Sequence, residues 1–113
     1  MADENLEQLR IMDTKAAAFQ KQGDFDNAER LRRTVFHETA RLKGPEDRAT
    51  LFSEGQLAFT LWCQGRYSEA EDVQKKLMEL FKTLFGCDDP DTLGVTSHLV
   101  VTYHDQYKYH EAA

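Results

Sequence analysis

The chain has 113 residues, 41% of them hydrophobic and 30% charged, with 14 Lys and Arg against 20 Asp and Glu. That length fits one domain, the apolar share excludes a disordered chain, and no apolar run nears the roughly 18–20 residues of a membrane span. Residues 1–43 hold eight acids and eight bases, whereas 44–113 hold twelve acids and six bases, a balance that speaks against nucleic acid as a partner.

In chain order, Met1-Ala2-Asp3-Glu4-Asn5 is acidic and polar, the reverse of a secretory signal or presequence, so a soluble cytoplasmic domain is expected. Helical spacing predicts a first helix over about 4–22 and a second over 26–43. Within the second, Arg30, Arg32 and Arg33 lie among Asp26, Glu29 and Glu38 and read as a solvated helix face rather than a phosphate site. Gly44-Pro45-Glu46-Asp47 forms a loop, and a third helix over 49–64 carries Leu51, Phe52, Leu57, Ala58, Leu61 and Trp62. Gly65-Arg66 breaks that pattern. Ser68, with Glu71 three residues on, reads as an N-cap with a capping box. The fourth helix places Ala70, Val73, Leu77, Leu80, Phe81 and Leu84 on one face and ends at Gly86. Asp88-Asp89-Pro90-Asp91 then suits the start of a fifth, since Pro and acids are favoured in a first turn. No β-alternation is present. Cys63 and Cys87 lack a CxxC spacing and are expected to be free thiols.

These elements repeat. Gly23-Asp24-Phe25-Asp26-Asn27-Ala28-Glu29 returns 42 residues later as Gly65-Arg66-Tyr67-Ser68-Glu69-Ala70-Glu71, and the same shift reaches Tyr107-Lys108-Tyr109-His110-Glu111-Ala112-Ala113. Gly44 pairs with Gly86, Thr50-Leu51 with Thr92-Leu93, Leu42 with Leu84, Leu57 with Leu99 and Leu9 with Leu51, all at that offset. Each repeat reads as a helix hairpin: the small residue (Ala28, Ala70, Ala112) lets two helices cross closely, and the aromatic (Phe25, Tyr67, Tyr109) fills the wedge beside them. A lone hairpin cannot bury both apolar stripes, so successive hairpins must stack. The repeats span about 4–44, 47–86 and 89–113, about 2.7 units in one domain, the last reaching about one turn into its second helix, with His110 at that helix's start.

The motifs resemble the tetratricopeptide repeat in its long form, seen in kinesin light chains and in sensor arrays of signalling NTPases. The period exceeds the ordinary length of about 34. Gly86-Cys87-Asp88-Asp89-Pro90-Asp91-Thr92-Leu93, Leu57-Ala58 and Gln64-Gly65-Arg66-Tyr67-Ser68-Glu69-Ala70-Glu71 carry the likeness. It implies an all-α fold, a right-handed α-solenoid of antiparallel helix hairpins. Departures are also legible. Pro45 directly follows Gly44, displaced from the place of Pro90, so the third helix is expected to begin differently from the fifth. Lys15 stands where Leu57 and Leu99 stand, as suits an end repeat. Val100 replaces Ala16 and Ala58, so the third repeat is expected to pack less tightly; the helix that should cover its first helix is cut short, so Leu99, Val100 and Tyr103 are expected to be partly uncovered.

The resemblance further implies a concave groove lined by the first helix of each hairpin, which binds a peptide and performs no catalysis. Its positions include Thr14, Phe52, Gln56, Phe59, Trp62, His98, Val101 and Asp105 as the peptide-binding set. Thr14, Gln56 and His98 stand where the long-repeat family often carries a backbone-clamping Asn. Trp62 reads either as an apolar anchor for a partner or as core packed on a neighbouring hairpin. No metal or cofactor is expected, because HExxH, clustered Cys and His, and Glu-x-x-His are all missing. Ser97 and His98 are adjacent on a helix and point about 100° apart, which argues against a hydrolytic pair. The expected role is a protein-interaction module. Its alternatives are a self-associating homodimer built through the third repeat, or a segment of a longer sensor array.

Overall fold

Five α-helices make up the computed structural model, which describes residues 2–112 and the side chains of 5–107: α1 (Ala2–Lys21), α2 (Phe25–Lys43), α3 (Arg48–Cys63), α4 (Tyr67–Phe85) and α5 (Pro90–Ala112). No strand occurs among the described residues. Contacts gather into two units, residues 1–60 and 61–113. The first holds α1, α2 and most of α3; the second holds the last turn of α3 with α4 and α5.

The 42-residue period is written into the backbone. Gly23 and Gly65 take φ of 81° and 77°, and Gly44 and Gly86 take 98° and 94°. A Cβ disfavours this left-handed region, so glycine sets where each helix stops. The first pair of turns also shares its hydrogen bonds. Asp24 N donates to Phe19 O at 2.8 Å, and Arg66 N donates to Leu61 O at 2.9 Å.

The starts of α3 and α5 are alike, contrary to the expectation drawn from Pro45. Asp47 Oδ1 accepts from Ala49 N and Asp89 Oδ1 accepts from Asp91 N, each at 2.9 Å. The capping carboxylates hold the 42-residue register, and this sets the geometry. Pro90 merely occupies the first helical position, where an N–H would find no partner, as Arg48 does in α3.

Ser68 is not a cap. The N-cap of α4 is Arg66, which makes no side-chain capping bond, and Ser68 lies inside the first turn. At the matching position of α2, Asp24 does cap, its carboxylate accepting from Asn27 N at 3.4 Å and from Asn27 Nδ2 at 2.7 Å. Arg66 instead pairs with Glu69 at 2.5 Å, putting negative charge three residues into α4, where the helix dipole favours it.

In the first unit, α1 packs against α2, with Ala16 and Ala28 fully buried beside Leu9, Leu31 and Val35. Lys15 is exposed, as suits an end repeat. In the second, α4 packs against α5 around Leu77, Phe81 and Leu99, and Ala70 is fully buried. Leu99 is therefore core, not partly uncovered as expected, whereas Val100 and Tyr103 are exposed.

The basic knot of α2 also divides. Arg30 and Arg33 are exposed, but Arg32 is only 6% exposed and bonds Asp13 Oδ1 at 3.1 Å. Ala28, Arg32, Val35 and Thr39 fall at successive helical steps on one buried stripe.

α5 runs unbroken through Ala112, so the turn expected near Tyr107 is not formed. Tyr107 stands where Gly23 and Gly65 bend the chain, and tyrosine does not readily take their positive φ. The roles read for Tyr109, His110 and Ala112 fall on side chains outside those described.

Candidate interaction surfaces

On α3, Phe52, Gln56 and Phe59 are spaced four and three residues apart and so share one face. Phe52 is 61% exposed, Phe59 is exposed and Gln56 is half-buried. Thr14 of α1 is exposed, and its hydroxyl donates to Arg10 O at 3.0 Å. These four belong to the first unit. Exposed aromatic rings flanking an amide combine apolar contact area with a group able to bond a peptide backbone.

In the second unit, His98, Val101 and Asp105 follow one another at i, i+3 and i+7 along α5. His98 and Val101 are exposed. Trp62 is half-buried, and its indole N–H donates to Asp105 Oδ2 at 2.6 Å. The structure thus joins two of the residues singled out from sequence as a bonded pair. His104 Nδ1 lies 3.9 Å from the other Asp105 oxygen.

This pair has a counterpart in the first unit. Gln20 holds the Trp62 position one repeat earlier, and its Oε1 accepts from Thr60 Oγ1 at 3.1 Å. In each unit the same register position on one first helix reaches the next first helix. The sequence pattern carried no signal of this, because the two ties use unlike chemistry, amide to hydroxyl and indole to carboxylate.

The electrostatics are modest. Burial pushes the Asp13 carboxyl above its ordinary range, while Arg32 pulls it back down. Burial likewise raises the Cys63 thiol, and Cys87 is exposed. Both cysteines are free. Lys75 lies 5.6 Å over the ring of Tyr103, and that neighbouring tyrosine, followed by the charge of Glu71, raises its pKa. The hydroxyl of Ser97 donates to Leu93 O at 3.0 Å. Among the described residues, no group of three or more His, Cys, Asp or Glu is placed to hold a metal ion, and no helix is long and apolar enough to cross a membrane.

Residues 7–82 match the tetratricopeptide repeat family. No protein of curated function matches the chain. Among solved structures, it is similar to a Podosopora anserina protein designated a kinesin light chain, with nearly identical TPR-like repeats: 22% identity, TM-score 0.80, covering 93% of this chain. The chain spans 50% of that protein's length. At this identity the likeness establishes the fold, an all-α repeat solenoid.

Proposed function

The chain belongs to the tetratricopeptide repeat family, whose repeats mediate protein–protein interaction and are typically non-catalytic, and from that premise we propose that it is a module that captures a peptide or segment of a partner protein. The observation that carries the reading is the exposure of Phe52 and Phe59 on one face of α3, with Gln56 between them. Burying an aromatic ring against a partner releases ordered water, and Gln56 supplies a donor and an acceptor for backbone. Thr14 in the first unit and His98 and Val101 in the second are the further contacts assigned. Trp62 offers a partner its ring face only, because its N–H is committed to Asp105.

The test is capture from lysate with wild type and with a Phe52→Ala, Gln56→Ala, Phe59→Ala variant. Loss of specific partners with unchanged helical circular dichroism is the expected outcome. Recovery of the same partners by the variant overturns the assignment.

A second reading, self-association, is favoured by a separate observation. Val100 is 61% exposed, whereas Ala58 and Ala16, its equivalents one and two repeats earlier, are fully buried.

A further inference from the structure

Resting on the reading of this chain as a peptide-capturing module, we infer that Trp62 and Asp105 form a seat for an arginine side chain of the partner. Asp105 Oδ2 accepts the indole N–H at 2.6 Å, which fixes the carboxylate beside the ring. A carboxylate has about four acceptor positions, and this bond takes one. His104 Nδ1 stands 3.9 Å from the other oxygen, Oδ1, beyond hydrogen-bonding reach, and the Asp105 side chain is 25% exposed.

A partly exposed carboxylate held against an indole offers a cation two attractions in one place, its own charge and the negative face of the ring. Arginine suits the seat better than lysine, because a planar guanidinium can lie on the ring while its edge donates to Oδ1. Val101, four residues before Asp105 and so on the same face of α5, is exposed and can take the methylene stem.

Charge selects a cation over an anion. Residues 61–113, the second unit, hold nine acids and five bases. Between residues 93 and 107 Asp105 is the one Asp, Glu, Lys or Arg, so no base of that stretch competes for it, and an acidic partner segment would be repelled there. This face of the first helices is open in every repeat. Phe59 and Ala17 hold the Val101 position one and two repeats earlier and are exposed, and Cys63, at the Asp105 position, is half-buried. The repeats differ in what they place there: Cys63 and Lys21 precede Asp105, and Gln20 precedes Trp62. The pairing of ring and carboxylate is thus local to the second unit, as a specificity-determining seat requires.

Trp62 is the one tryptophan of the chain, so its indole N–H resonance reports on this seat alone. The probes are a blocked pentapeptide, acetyl-Ala-Ala-Arg-Ala-Ala-amide, and the same peptide with citrulline, which keeps the length and removes the charge. Each is titrated to about 10 mM into the full 15N-labelled chain. The arginine peptide should move the indole resonance saturably, bind at least about tenfold more tightly than the citrulline peptide, and weaken with added salt. Asp105→Asn, which keeps an acceptor for the indole, should erase the preference with helicity unchanged. An indole resonance that the arginine peptide leaves in place, or moves no more than the citrulline peptide does, overturns the inference, and so does an Asp105→Asn variant that keeps the preference. Loss of partners on truncating Phe52, Gln56 and Phe59 beside a silent Trp62 leaves peptide capture standing and removes the arginine seat. A responding Trp62 with all partners retained does the reverse.

Discussion

The indole N–H of Trp62 donates to Asp105 Oδ2 across 2.6 Å, joining the last turn of α3 to α5 inside the second unit. Gln20 and Thr60 make the matching tie in the first unit at 3.1 Å. Trp62 lies on α3 and Asp105 on α5, each the first helix of its hairpin. The bond therefore serves stability and holds the ring in one orientation.

Trp62→Phe keeps the apolar bulk and removes the donor. It should cost about 1–2 kcal/mol, the range of a hydrogen bond to a charged group with a partly exposed acceptor. Asp105→Asn retains an acceptor and should cost less. Urea unfolding of both single variants and the double variant measures the coupling. Additive costs would mean that the bond contributes nothing.

Arg32 is buried with its Nε lacking a hydrogen-bond partner, and its fixed charge faces Asp13. Arg32→Met removes a costly buried cation while keeping its length, so the change in stability should stay within about 1 kcal/mol in either direction. The Asp13 pKa, raised by burial and lowered by Arg32, should climb further in the variant, which a carboxyl NMR titration reads directly.

The same group fixes a pH dependence. Folding raises the Asp13 pKa above its ordinary 3.8, so over that window the folded chain holds more protons than the unfolded one. The contribution of Asp13 to stability thus falls as pH rises through 3.8 toward the raised value, opposite to that of a carboxylate stabilised in its ionised form. The stability difference between wild type and Asp13→Asn, followed across that window by urea unfolding, should show this slope.

Arg66 marks a missing cap. Arg66→Asn introduces the side-chain acceptor that Asp24 supplies to α2, at the loss of an exposed ion pair with Glu69. The expected net gain is about 0.5 kcal/mol, read by thermal unfolding.

The two thiols should separate kinetically. Cys87 is exposed, whereas Cys63 is half-buried with a raised pKa, so less of it is thiolate at neutral pH. Maleimide labelling should modify Cys87 first, by about tenfold or more in rate, with mass spectrometry locating the adduct.

Much of the fold was legible because its determinants are local. Gly23, Gly44, Gly65 and Gly86 are needed for their own φ, and Asp47 and Asp89 bond amides two residues away. A single sequence exposes such requirements as repeated letters. Misreadings arose where one role passes between residue types. Pro45 looked displaced although the capping Asp47 kept register, and Ser68 looked like a cap although Arg66 holds that place. Phe52 and Phe59 could be assigned to an exposed face through family register, but Arg32 could not be assigned to the core, since arginines on one helix differ only in what stands opposite them.

The sequence by itself determined the helix hairpin, its period and the places where the chain turns, because backbone conformation and capping depend on neighbours a few residues away. Only the tertiary structure decided that Arg32 is buried, that Trp62 is tied to Asp105, and that Leu99 faces inward while Val100 faces out. Those outcomes depend on which side chain lies opposite, and residues 19 or 43 positions apart meet only after the helices have packed.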